Sequence, residues 1–266
     1  MSSRSPLISL LTDLGIKDPF VGELKAVIFS ISPDTSVIDI SHEVERFNVR
    51  AGAFLLASAA PHFPVGTIHV GVVDPGVGGE RRPILVETGH SLYVGPNNGL
   101  LIPAASSEGI RRVYELTNRS LMRDKVSSTF HGRDLFAPVA AHLASGTKPH
   151  EVGREIVDYA RLSFAEPIFD RRGAHCEALH VDNFGNIILN ISQQRMGRLN
   201  LTGRHSLRVH GKRVPLRFVR TFSDLREREF GILLGSRGFL EIVCREASAA
   251  SRLRIRSGYG LRLDGA

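Results

Sequence analysis

The stretch Thr67-Ile68-His69-Val70-Gly71-Val72-Val73-Asp74-Pro75-Gly76-Val77-Gly78-Gly79-Glu80-Arg81-Arg82-Pro83-Ile84-Leu85-Val86-Glu87-Thr88 decides how the fold is read. An apolar run ends in an acid. A Pro/Gly loop follows, two arginines close it, and a second apolar run begins. Both runs are short, rich in β-branched residues and bounded by turn formers, so they read as buried strands. Taken alone, the loop is ordinary turn chemistry: Asp bonds its own backbone, Pro fixes φ and Gly allows positive φ. An Asp–Arg pair across such a loop contributes little when exposed.

Working outward, the first half alternates strands with helical patterns. Leu7 to Leu11 reads as a strand, and Val21, Leu24, Val27, Ile28 and Ile31 follow at helical spacing. Ser36 to Ile40 reads as a second strand. Val49 to Ala60 reads as a helix capped by Asn48 and stopped by Pro61. Leu92–Val94 and Arg112–Leu116 add strands, and Arg133–Ala144 a helix. This β-α-β-α-β order predicts an α/β fold with a mostly parallel sheet over residues 1–163. After a linker around Ser163-Phe164-Ala165-Glu166-Pro167-Ile168, helical patterns nearly vanish. Tight turns at Asp182-Asn183-Phe184-Gly185, His210-Gly211 and Gly235-Ser236-Arg237-Gly238 separate short strands. Residues 172–266 are therefore expected to form a smaller antiparallel, barrel-like β domain.

Composition narrows the function classes. The chain has 266 residues, 42% hydrophobic and 23% charged, as in a soluble globular protein. No apolar run is long enough for a membrane span. Asp13 interrupts the N-terminal apolar run, which therefore reads as a strand and not a signal peptide. Two cysteines, Cys176 and Cys244, form no disulfide or metal framework and suit a reducing cytoplasm. The net charge is +7, with arginines crowding the C-terminal third. Several alternate with apolar residues, as in Leu207-Arg208-Val209 and Leu253-Arg254-Ile255-Arg256, which reads as the solvent face of half-buried strands. Aromatic interleaving is missing, which argues against a nucleic-acid platform.

Ligands of open α/β sheets gather at the carboxyl ends of the strands. Asp13, Asp74, Asn97 and Asn98 stand at such ends, and His131 precedes a helix. Each has an ordinary reading as a turn or cap residue; together they point to a site. The chain carries no GxGxxG, Walker A, HExxH, CxxC or GxSxG pattern. An acid, an arginine and a histidine remain, and such a set can orient and activate water without a metal.

These segments, in order, carry a resemblance: Thr12-Asp13-Leu14-Gly15, Val73-Asp74-Pro75-Gly76-Val77-Gly78 with Arg81, Gly95-Pro96-Asn97-Asn98-Gly99-Leu100, Phe130-His131-Gly132-Arg133-Asp134, Val181-Asp182-Asn183-Phe184-Gly185-Asn186 and Gly235-Ser236-Arg237-Gly238-Phe239-Leu240-Glu241-Ile242. Nearly the whole chain resembles the adenosine-forming S-adenosyl-L-methionine hydrolases, or SAM hydroxide adenosyltransferases, which are related to the SAM-dependent fluorinase and chlorinase. The resemblance implies in-line attack of water at C5′ of S-adenosyl-L-methionine, giving adenosine and L-methionine with no cofactor. It implies an Asp74–Arg81–His131 triad, and leaves open whether Asp74 or His131 takes the proton. It also implies substrate contacts at Asp13, Asp182, Phe184, Asn186, Ser236, Glu241 and the backbone of Val243. It further implies a homotrimer with the site between the N domain of one subunit and the C domain of the next. Phe130-His131-Gly132 stands where the halogenases carry a tyrosine-rich segment, and no long insertion is evident; both favour water over halide. A halogenase-like enzyme and a non-catalytic SAM- or nucleoside-binding protein are the competing readings.

Overall fold

The structure, a computed structural model, describes residues 5–199 and 204–265. The chain divides into two compact units, Met1–Ser163 and Phe164–Ala266.

In the first unit, β1 (Leu7–Thr12), β2 (Ser36–Ser41), β3 (Ile68–Val72), β4 (Pro83–Thr88), β5 (Leu92–Pro96) and β6 (Ile110–Glu115) form one sheet. Their order is β2-β1-β3-β5-β4-β6. The β1–β2, β1–β3 and β3–β5 pairs are parallel, and β4 runs antiparallel to both neighbours. The fold is thus α/β with a mostly parallel sheet, as expected. The two strands of the opening stretch are not neighbours, because β5 inserts between them. Helices α1 (Phe20–Ile31) and α4 (Ala137–Ala144) pack together on the sheet, α2 (Val49–Ala59) against α3 (Ile102–Glu108). The main core joins Leu24 and Ile28 of α1 and Val139 of α4 to Ile8, Leu10, Val70 and Val94 of the sheet.

Local chemistry sets the element ends. Asn48 accepts from the Ala51 amide at 2.9 Å and caps α2, while Pro61 tightens its exit into a 3₁₀ turn. The expected helix from Arg133 begins instead as a wide π-type turn, Gly132–Phe136. Pro138 explains it. Proline has no amide to give the Asp134 carbonyl one turn back, and its ring would crowd that oxygen. The Asp134 carbonyl accepts from Arg123 N at 3.0 Å instead. Helix α3 went unforeseen because seven residues are too few for periodicity to register.

The second unit contains β7 (Ile168–Asp170), β8 (Gly173–Val181), β9 (Ile187–Ser192), β10 (Arg204–Val209), β11 (Lys212–Phe218), β12 (Phe230–Leu234), β13 (Phe239–Cys244) and β14 (Gly260–Asp264). Two short helices, α5 (Gln193–Met196) and α6 (Ala249–Leu253), complete it. Strand β14 pairs with both β10 and β8, which closes seven strands into a barrel. All pairs are antiparallel except β11–β12. Strand β7 pairs with β8, so residues 168–170 belong to this unit and not to a linker. In β10, Leu207 and Val209 are buried and Arg208 exposed, as the alternation requires. The same reading fails at Leu253-Arg254-Ile255-Arg256. Ser248 accepts from Ser251 N at 3.0 Å and starts α6, which ends in a left-handed Arg254 (φ 53°). Ile255 is buried by that turn, not by a strand.

No helix among the described residues is long and apolar enough to cross a membrane.

Candidate active site

Strands β1 and β3 run side by side with Thr12 opposite Val72. Asp13 follows Thr12 directly and Asp74 follows Val72 after Val73, so two carboxylates share the carboxyl edge of the sheet. Asp74 meets Arg81 across the loop in a fork. Arg81 Nε donates to both carboxylate oxygens at 3.0 Å, and one terminal nitrogen to Oδ2 at 2.5 Å. Both side chains are nearly buried, at 10% and 5% exposure, which removes the screening that makes surface pairs weak. The Arg81 guanidinium also lies over the Phe136 ring, 5.4 Å from its centre. Arg82 turns the other way and pairs with Asp158.

The same Arg81 nitrogen approaches His131 Nδ1 at 2.6 Å. A guanidinium only donates and does not deprotonate, so Nδ1 must be a bare acceptor. His131 is therefore a neutral imidazole with its proton on Nε2. Burial, and then the charge of Arg81, hold its pKa below the usual histidine value.

The two loops carrying this cluster are fastened together. Gly78 has φ +75°, and a Cβ there would lie 2.1 Å from the Ser128 carbonyl oxygen, so only glycine allows the approach. Asp134, 1% exposed, accepts from Ser127 N at 2.9 Å and from Arg133 at 2.7 and 3.0 Å. Asn98 ties to the Val73 carbonyl at 2.8 Å and to Leu100 N; Asn97 accepts from Ala160 N at 2.8 Å. These two asparagines brace loops. Asp13 Oδ2 accepts from Phe47 N at 2.8 Å, and its Oδ1 accepts no bond among the described residues.

In the barrel unit, a cavity of about 980 Å³ is lined by Asp182, Phe184, Asn186, Ser236 and Glu241, among others. Asp182 organises the β8–β9 turn, accepting from Phe184 N at 2.9 Å and Asn186 N at 2.8 Å through Oδ1, and from the Asn186 amide at 2.9 Å through Oδ2. The Asn186 NH₂ is thus engaged, leaving its carbonyl oxygen as the group to offer a ligand. Phe184 stands 78% exposed over the opening. Burial, and then the nearby charge of Asp182, raise the Glu241 pKa. Val243 is wholly buried and does not line the cavity. Phe222 and Arg245 also line it and were not anticipated. An exposed phenylalanine in Arg220-Thr221-Phe222-Ser223-Asp224, where Asp224 caps the turn, was the available signal.

A part-buried acid–arginine–histidine cluster at a sheet edge, with a cavity in the second unit lined by carboxylates, an amide and aromatic rings, defines an enzyme acting on a small polar molecule. The N-terminal domain of the SAM hydroxide adenosyltransferases matches residues 8–153, and their C-terminal domain residues 176–262. The chain belongs to this family. It is 40% identical over 262 residues to the (R)-S-adenosyl-L-methionine hydrolase of Salinispora tropica, covering 97% of this chain and 98% of that one. The crystal structure of an uncharacterised conserved protein from Thermotoga maritima superposes with a TM-score of 0.92 at 36% identity, covering 96% and 99% of the two chains. The fluorinase of Nocardia brasiliensis is more distant, 26% identical over 293 residues and 98% of each chain.

Proposed function

We propose that this protein hydrolyses S-adenosyl-L-methionine to adenosine and L-methionine. The observation that carries the reading is the Asp74–Arg81–His131 cluster, part-buried and fixed by hydrogen bonds. The Salinispora relative is an (R)-S-adenosyl-L-methionine hydrolase, and the R epimer at sulfur is taken as the preferred substrate here.

The sulfonium makes methionine a good leaving group. A water oxygen placed behind C5′ forms the O–C5′ bond as the C5′–S bond breaks, and the departing electron pair neutralises sulfur. Positioning alone can lower such a barrier by about 7–11 kcal/mol. Arg81 supplies fixed positive charge for the hydroxide-like oxygen. With Nδ1 occupied and Nε2 protonated, His131 donates to the attacking oxygen and does not take its proton. Asp74 Oδ1 accepts a single bond from Arg81 and retains a free lone pair. It takes the proton, which becomes strongly acidic once the oxygen bonds to carbon, so a weak base suffices.

Asp13 is assigned to the ribose hydroxyls, Asp182 to the methionine ammonium, and the Asn186 carbonyl oxygen to the adenine amino group. Phe184 packs on the base; Ser236 and Glu241 complete the nucleoside contacts. Following the resemblance to the family, we place the complete site in a homotrimer, between the first unit of one subunit and the second unit of the next. We place the enzyme in the cytoplasm, which two free, buried cysteines suit, and assign it no cofactor or metal. The test is turnover of the R and S epimers, separately, with and without fluoride or chloride. Adenosine and methionine without halide, faster from the R epimer, support the proposal. A 5′-halonucleoside formed only with halide would make this a halogenase; tight binding without turnover would make it a binding protein.

A further inference from the structure

The proposed chemistry leaves the arginines of the barrel unit unused, yet many of them converge. Arg171, Arg172, Arg198, Arg208 and Arg213 line a cavity of about 600 Å³, with Asp170 and Asp264 as the acids among its described lining residues. They come from four separate places: the β7–β8 turn, the turn after α5, and strands β10 and β11. This is not the nucleoside cavity. Strand β8 begins at this cavity with Gly173 and ends at Val181, next to Asp182 of the other, a span of about 30 Å from Gly173 to Asp182 at a normal strand rise.

The two carboxylates organise the arginines without cancelling them. Asp264, 3% exposed, binds Arg208 Nε at 2.5 Å, Arg213 at 3.2 Å and Arg262 Nε at 2.8 Å. Arg262 in turn grips Asp170 in a fork at 2.8 and 3.1 Å. Among the described residues, the guanidinium groups of Arg171 and Arg172 make no hydrogen bond or ion pair, and that of Arg198 rests 4.8 Å above the Phe169 ring. Among the described lining residues, five arginines against two aspartates leave a net charge of +3 in one concavity. A solvated strand face would spread such charge along one element. No lysine is among the described lining residues, and the planar guanidinium fork matches phosphoryl oxygens as an ammonium does not. Nucleic acid needs an extended basic track, whereas a pocket of this volume is in the range of small-molecule sites.

We infer that this cavity binds a free, compact anion carrying two or more phosphoryl groups, at a site separate from the nucleoside cavity. The probe is inorganic triphosphate, titrated calorimetrically into the full chain at constant ionic strength. The comparison is the Arg171→Ser/Arg172→Ser double variant, whose replaced groups make no hydrogen bond or ion pair among the described residues. Saturable binding, weakened about tenfold or more in the variant with an unchanged unfolding midpoint, is expected. Arg198→Ser, on a different element, should weaken binding by itself. A nucleoside triphosphate should match inorganic triphosphate, because the phosphate chain is what is read. Absent saturation, equal affinity in wild type and variants, the same heat from sulfate, or much tighter binding of a single-stranded oligonucleotide would each overturn the inference.

Discussion

Arg81 meets His131 Nδ1 at 2.6 Å through a nitrogen that can only donate, and this one contact fixes the histidine's tautomer. The contact survives only while His131 is neutral, because a second proton would set two donors face to face.

The pH dependence of turnover follows. The His131 pKa lies below its ordinary value of about 6.5, through burial and then the charge of Arg81. The neutral form is present above the lowered pKa and lost as pH falls through it. kcat/KM should therefore be flat near neutrality, with an acid limb below about pH 6.5. A limb at or above that value would mean that the contact is absent in the working enzyme.

Arg81→Lys should retain charge and lose function. An ammonium cannot fork onto Asp74 and reach His131 together, so kcat should fall about a hundred- to a thousandfold with KM little changed. Steady-state kinetics check this; near-normal kcat would reduce Arg81 to a point charge.

Asp134 is a positioning residue for His131, through Ser127 and Arg133. Asp134→Asn should lower kcat/KM by up to about a hundredfold by loosening the loop that aims the imidazole. Gly78→Ala should act on the partner loop, costing about 1–3 kcal/mol because of its positive φ and its contact with Ser128. Denaturant titration beside kinetics separates the two effects.

The opposite end of β3 predicts a stability effect. His69 is fully buried, bonded to Ser9 Oγ at 2.6 Å and stacked on Tyr93 at 4.8 Å between ring centres. Burial lowers its pKa to about 4. Between pH 6.5 and 4 the unfolded chain binds a proton that the folded one refuses, so stability falls as pH falls through that window. The loss is about 3 kcal/mol, and His69→Gln should abolish it. Denaturant unfolding at several pH values, in both proteins, reads it directly.

Much of this was legible in the sequence, for physical reasons. Period-2 and period-3.6 burial revealed most strands and α1, and Asn48 announced α2 through the cap it makes. The loop from Asp74 to Arg81 was visible as an acid and two arginines, but turn chemistry could not say which arginine faces inward; Asp158, far along the chain, draws Arg82 away. The π-type turn at Gly132 depends on Pro138 meeting the Asp134 carbonyl, and α3 was too short to show a period. Alternating arginines misled at Leu253–Arg256 because a helix end followed by a left-handed residue buries alternate positions much as a strand does. The gathering of arginines from four segments is a property of barrel closure, and no local pattern contains it.

The central claim is that water itself attacks C5′, and a single turnover in oxygen-18 water tests it most directly. With enzyme in excess over S-adenosyl-L-methionine, the account predicts adenosine labelled at the 5′ oxygen in that first turnover. Unlabelled adenosine would contradict it. It would show that a carboxylate such as Asp74 attacks carbon first and that the resulting ester is hydrolysed at its carbonyl.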